Sequence, residues 1–155
     1  MDHQPRSYPP ITAERQVSPS AAFSPLVIDY FQHPRNLGQM DKADGHAGGR
    51  GPCGDAMWMW LKISRRDTTE IITKATFVSD ICIGALSCGS RLTEMVIGMD
   101  VQQAMQITPA ALLAALDGLP EQEQHCAALA VKTLKETIRN YHENRAAGWK
   151  QLYRR

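Results

Sequence analysis

One block of strand-period sequence lies between two stretches of helical period, and that order leaves the chain few folds to choose from. AMWMWLKI (56–63) alternates Met57, Met59, Leu61 and Ile63 against Trp58, Trp60 and Lys62, a strand pattern with apolar side chains on both faces near its start. The polar run SRRDTTE follows, and then the β-branched run EIITKATFVSD, so the two strands read as a hairpin. Ahead of them, GHAGGRGPCG (45–54) holds five glycines and a proline. Glycine tolerates close approach and positive φ, so this segment is expected to be a loop or an irregular edge strand.

Helical signals flank the sheet. Ser24-Pro25 pairs a capping hydroxyl with proline at the first helical position, and Leu26, Val27, Tyr30 and Phe31 share one face before Pro34 ends the helix. From Gly84, Leu86, Leu92, Met95 and Val96 return to helical spacing, with Gly98 placed to stop it. Asp100 is read as the cap of a short helix, and Thr108-Pro109 as the start of another that ends at Gly118. A last long helix is expected from about Gln122 to Tyr141 on the stripe Ala127, Ala130, Val131, Leu134, Ile138 and Tyr141. Segregated elements of this kind predict an α+β fold, a small antiparallel three-stranded sheet with helices packed on one face. Residues 1–24, with four prolines among polar residues, are expected to be a disordered tail; 25–145 form the domain and 146–155 a C-terminal extension.

The 155 residues favour one domain, large enough to bury a core without disulfides. No apolar run approaches the roughly 20 residues of a membrane span, and the start MDHQPRSYPP has no secretory-type apolar stretch. A soluble cytoplasmic protein is therefore expected. A formal charge of +1 gives no signal for nucleic acid. In a reducing compartment the four cysteines, Cys53, Cys82, Cys88 and Cys126, read as packing residues, metal ligands or nucleophiles rather than disulfide partners.

Cys53, Cys82 and Cys126 each fall at the end of an element, where side chains distant in sequence can converge. Thiolate and imidazole are donors that iron and zinc accept, so Cys53, Cys82, Cys126 and His125 are candidate ligands, and Asp55 adds a hard oxygen two residues beyond Cys53. A carboxylate holds iron less tightly than a thiolate, which suits delivery better than storage. Cys126, near a helix N-terminus, is expected to have its thiolate favoured. The spacing matches no short Cys pair, and each thiol alone is more often a small buried hydrophobe than a ligand. His33 is assigned to helix termination, Trp58 and Trp60 to sheet packing, and His46 and Arg50 to solvated loop positions. Trp149 and Tyr153 are left between covering a groove and contacting a partner.

YFQHPRNLG (30–38), GPCGD (51–55), the Cys82 region through LTEMVIG (92–98) and LPEQEQHCAALA (119–130) together resemble the IscU/NifU-type scaffold family, in its order and separations over about 26–142. The resemblance implies a non-enzymatic scaffold. It would accept sulfur as persulfide from a cysteine desulfurase, with Cys126, Cys53 and Cys82 as candidate acceptors. It would then build a 2Fe–2S cluster from Fe2+ and pass it to acceptor apoproteins. It implies that Cys53, Cys82 and Cys126 ligate the cluster, that Asp55 promotes release, and that His125 is a ligand in some metal states. Zn2+ is expected on the same residues in the cluster-free form, and the protein is expected as a monomer or a cluster-bridged dimer.

Three departures stand out. Ile81 replaces the usual glycine before the second cysteine, so the Cys82 loop is expected to differ. Cys88 stands where serine is usual; six residues past Cys82, it is read as packing, with a spare thiol as the alternative. Leu119-Pro120-Glu121-Gln122-Glu123 keeps the Leu-Pro of an LPPVK segment but replaces its basic end with acid, which predicts that an Hsp70-type chaperone does not bind. The protein is also expected to lack the additional cluster and C-terminal domains of the long NifU form. Two other readings remain: a zinc-dependent persulfide acceptor of the SufU type, against which His125 and the short Cys82–Cys126 interval count, and a structural zinc module.

Overall fold

The computed structural model describes residues 23–52 and 54–152, with side chains up to Gly148. Cys53, Tyr153, the side chain of Trp149 and the expected tail as far as residue 22 lie outside them. Helix α1 (Pro25–Gln32) starts as expected: Ser24 Oγ accepts from Val27 N at 3.2 Å and donates to the Leu116 carbonyl at 2.9 Å. The cap thus ties α1 to a segment 92 residues away. His33 closes the helix through its N–H to the Asp29 carbonyl, in keeping with a terminating role.

Strands β1 (Gly45–Arg50), β2 (Ala56–Arg66) and β3 (Thr69–Ser79) form an antiparallel sheet in that order. The glycine-rich segment is the edge strand, with Gly45 opposite Leu61 and Arg50 opposite Ala56. The hairpin is tighter than SRRDTTE suggested. Both strands run into that polar segment and leave Asp67 and Thr68 as the turn, with Asp67 at φ 54°. Aspartate tolerates this left-handed conformation better than a branched residue does.

Met57, Met59, Leu61, Ile72, Ala75 and Phe77 are wholly buried on one face of the sheet. Helix α2 (Ile83–Val96) packs over β3 there, and α5 (His125–Leu152) lies along β1 and β2. Two short helices, α3 (Val101–Ala104) and α4 (Pro109–Ala115), carry the expected Asp100 and Thr108 caps. Cys88 is fully buried in the core, where loss of solvation pushes its thiol pKa up. α5 departs from expectation at both ends. A 3-10 turn at Glu121–Glu123 precedes it, and it continues eleven residues past Tyr141 to Leu152. Polar residues hold part of that continuation to the sheet side: Asn144 donates to the Asp44 carbonyl at 3.3 Å and Arg145 pairs with Glu70 at 3.0 Å.

Among the described residues no helix is long and apolar enough to cross a membrane.

Candidate metal centre

The expected residues come from three separate places in the chain, and backbone hydrogen bonds bring those places together. Gly54 N donates to the Gly51 carbonyl, and Gly51 N to that of Asp55, so Gly51 is held against Gly54 and Asp55. Asp80, at the end of β3, accepts from Ala56 N through Oδ2 at 3.0 Å and from Arg50 at 3.3 Å. Its own N–H bonds to the Ala56 carbonyl. The start of β2, and with it Asp55, is therefore fixed beside the segment that leads to Cys82.

Cys82 is the N-cap of α2, extended at φ −120° and ψ 152°, and its Sγ accepts from Ala85 N at 3.3 Å. Ile81 sits just before it, half exposed. The non-glycine residues with positive φ among those described are Asn36, Lys42, Asp67 and Asp117, so Ile81 needs no left-handed backbone. The loop accommodates Ile81 without a glycine-type conformation, and its side chain turns to solvent.

From the other side, the first turn of α5 presents His125 and Cys126. His125 Nε2 lies 2.7 Å from Asp55 Oδ2 and 3.6 Å from Cys126 Sγ. Cys126 Sγ lies 3.8 Å from Asp55 Oδ2 and 3.8 Å from Glu123 Oε2. Two donor sets result, Asp55–His125–Cys126 and Cys82–Glu123–Cys126, each with its atoms within 4.8 Å of one another. Cys126 belongs to both and is wholly buried, whereas the His125 and Asp55 side chains are 40% and 26% exposed. The cluster is thus a sulfur floor with a rim open to solvent.

The expected thiolate preference of Cys126 is overturned. Its pKa is pushed up because it donates its proton to Cys82, because it is buried, and because the Cys82 and Glu123 charges disfavour a second anion. Cys82 is the lowered thiol: the Cys126 S–H and the Ala85 N–H both stabilise its thiolate, against the cost of burial. The helix N-terminus that favours a thiolate is that of α2, where Cys82 is the cap; Cys126 lies inside a turn that continues from the 3-10 segment. His125 is pushed up by its bond to the Asp55 carboxylate.

The donor chemistry fits a transition-metal cargo. Thiol, imidazole and carboxylate converge with one another as partners, the mixture of soft, borderline and hard ligands that iron and zinc accept. Of the sequence candidates, Asp55, Cys82, His125 and Cys126 meet, Cys88 belongs to the core, and Cys53 lies outside the described residues. Arg50 binds the Gly54 carbonyl and Asp80 at the edge of the cluster, and His46 is held through its backbone N–H to Asn140. The residue that sequence reasoning missed is Glu123. The signal was an acid three positions before Cys126, one helical turn away.

Comparison with known proteins identifies the frame around this cluster. Residues 22–147 match the family described as the NifU-like N terminal domain. A protein named iron-sulfur cluster assembly scaffold protein IscU 1, from Archaeoglobus fulgidus, is 38% identical over 120 residues, covering 77% of this chain and 76% of its own. One named iron-sulfur cluster assembly scaffold protein IscU, from Aquifex aeolicus, is 35% identical over 123 residues, 79% and 77% of the two chains. The solved structure of a NifU-like N-terminal protein from Brucella abortus superposes with a TM-score of 0.59 at 14% identity, over 77% of this chain and 94% of that one. A putative SUF-system scaffold from Fervidobacterium islandicum gives 0.59 at 18%, over 76% and 96%. At those identities the two structures show the shared fold alone.

Proposed function

The chain belongs to the NifU-like N-terminal domain family, and from that premise we propose that it is a scaffold on which iron–sulfur clusters are assembled for delivery to other proteins. The observation that carries this reading is the meeting of Asp55, Cys82, His125 and Cys126 at one solvent-open rim. Iron and sulfur are the cargo, and the residues that would hold them are Cys53, Cys82 and Cys126, with Asp55 and His125 completing the set.

Sulfur would arrive as the outer atom of a persulfide on a cysteine desulfurase. A scaffold thiolate attacks that sulfur, a new S–S bond forms as the old one breaks, and the donor leaves as a thiolate with no net change of oxidation state. The lowered pKa of Cys82 suits it to this attack, and Cys126 and Cys53 remain candidates. Iron entering beside His125 would take the place of the proton shared with Asp55, since both donor atoms already face each other. A carboxylate in the set keeps the product labile, and the open rim leaves room for an acceptor protein to present its own thiolates. The acidic Glu121–Glu123 turn beside the cluster supports operation without an Hsp70-type chaperone that reads a basic segment; specific, tight capture of such a chaperone by this chain would contradict that point.

Anaerobic reconstitution with Fe2+, cysteine and a cysteine desulfurase tests the reading, followed by visible absorption and Mössbauer spectra. A 2Fe–2S spectrum is expected in the parent chain and in Cys88→Ala, lost in Cys53→Ala, Cys82→Ala and Cys126→Ala, and transferable to an apo-ferredoxin. No cluster, but one tightly held Zn2+ and an accelerated desulfurase, would instead establish the zinc-dependent sulfur acceptor.

A further inference from the structure

Within the second donor set, Glu123 ends the Glu121–Glu123 turn, three residues before Cys126. The acid is turned toward the cluster. Its Oε2 lies 3.8 Å from Cys126 Sγ, and with Cys82 Sγ the three donor atoms fall within 4.8 Å of one another.

An acid just before a helix has a simpler role open to it, that of binding free N–H groups in the first turn. Among the described residues the hydrogen-bond partner of the Glu123 carboxylate is instead a thiol. The seat it occupies is made by another residue. A Cβ on Gly84, in the first turn of α2, would stand 2.5 Å from Glu123 Oε2 and 2.8 Å from Cys126 Sγ. Glycine at 84 is what lets the carboxylate and the sulfur lie side by side against α2. Two independent features, the carboxylate–thiol contact and a glycine-made seat, thus bring an oxygen donor to two thiols.

We propose that Glu123 is a metal ligand, forming with Cys82 and Cys126 a second seat for a divalent cation that shares the Cys126 sulfur with the Asp55–His125 seat. The inference rests on the scaffold reading and deepens it. A lysine at this point repels an incoming cation and must find its own counter-ion, whereas a carboxylate attracts the cation and adds a hard donor that Fe2+ accepts. Two seats sharing one sulfur give this scaffold a place to hold ferrous iron before sulfur is supplied.

Cobalt(II) is the probe, because its d–d bands report coordination number and its sulfur charge-transfer band counts thiolates. The reduced, metal-free full chain is titrated with Co2+ against a chromophoric chelator, alongside Glu123→Gln, Glu123→Lys, Cys82→Ala, Asp55→Asn and the Glu123→Gln/Cys82→Ala double variant. Glu123→Gln is expected to weaken Co2+ about tenfold and to alter the d–d bands while sparing the sulfur band; Glu123→Lys weakens it further. The double variant is expected to lose less than the product of its single losses, because both residues serve one seat. Circular dichroism and melting of each variant exclude unfolding as the cause. Affinity within twofold of wild type and unchanged d–d bands in Glu123→Gln overturn the proposal and leave the scaffold reading standing. Failure of the wild-type chain to bind Co2+ or build a cluster overturns both.

Discussion

Helix α5 carries a carboxylate–ring contact at each end of its buried stretch, and the two are built alike but finished differently. Near its start His125 meets Asp55, 70 residues away in sequence; further along Tyr141 meets Glu70, 71 residues away. At Tyr141 the charge is closed: Arg145 pairs with Glu70 at 3.0 Å and lies over the Tyr141 ring at 5.8 Å. At His125 one carboxylate and one thiol share the imidazole, and a second carboxylate and thiol meet the same Cys126 sulfur. The first cluster supplies its own cation and fastens the helix to β3. The second has more donors than protons to share among them, and that surplus is what a metal can use. The Tyr141 cluster is closed by Arg145, whereas no arginine is paired with Asp55 or Glu123 among the described residues.

The largest test of that contrast removes the atom both metal seats share. Cys126→Ala is expected to lower Co2+ or Zn2+ affinity by a hundredfold or more, a change of about 2.7 kcal/mol or greater. Its cost to the metal-free fold should stay within about 1 kcal/mol, since one buried sulfur is lost. In the wild type, Zn2+ at a hundred times its Kd should add about 2.7 kcal/mol of stability, an effect Cys126→Ala abolishes. Thermal melts with and without Zn2+ measure both; an undiminished Zn2+ stabilisation would place the metal elsewhere.

The second test strikes the closed end. A Cβ at Gly45 would stand 2.7 Å from the Thr137 carbonyl oxygen and 2.8 Å from Tyr141 Cβ, neither of which can swing aside. Gly45→Ala is therefore expected to cost about 2–3 kcal/mol by forcing α5 away from β1. Urea melts read the loss, and the Co2+ spectrum should not change. A parallel loss of metal affinity in the folded variant would show the two ends to be one unit.

Much of the frame was legible because its signals are local. Ser24, Asp100 and Thr108 cap the next few residues with their own side chains, and the alternation in 56–63 reports the sheet face that the helices cover. The length of α5 was not, because Asn144 and Arg145 are held by Asp44 and Glu70 from far upstream, which no periodicity records. At the site, residue types and element ends made Asp55, Cys82, His125 and Cys126 candidates, and the family resemblance singled them out. Glu123 was read only as a change of charge toward an external partner; its nearness to Cys126 depends on the 3-10 turn and on space left by Gly84 in another helix. The proton preference of Cys126 likewise depends on Cys82, a contact across 43 intervening residues.

Gly84→Ala sharpens the contrast from the open side. Here the atoms a Cβ would meet most closely are the far ends of Glu123 and Cys126, and the carboxylate can swing to solvent. Alanine also gains about 1 kcal/mol over glycine within a helix, which offsets part of the crowding. Stability should therefore change by no more than about 1 kcal/mol, while Co2+ affinity falls roughly tenfold with the displacement of Glu123. The same glycine-to-alanine change would thus destabilise at 45 and disarm at 84. Unfolding of Gly84→Ala comparable to that of Gly45→Ala would erase the distinction.

The smallest effect is a pH dependence confined to the closed end. Burial and the bond to the Glu70 carboxylate push the Tyr141 pKa up to about 12, above the value near 10 of an unfolded chain. The folded state therefore holds this proton more tightly, and the stabilisation is fully present below pH 10. It is lost as the pH rises from 10 through about 12, because in that window the folded chain binds more protons than the unfolded one. The loss should be on the order of 1–2 kcal/mol, with Arg145 limiting it by favouring the phenolate. Tyr141→Phe removes the group, so the difference in urea stability between wild type and variant should narrow across that window and stay flat between pH 7 and 9. Metal affinity at neutral pH should be the same in both chains. A difference that stays constant to pH 12 would mean that the Glu70 carboxylate does not hold the Tyr141 proton in solution, and that Arg145 alone fastens this end of α5 to β3.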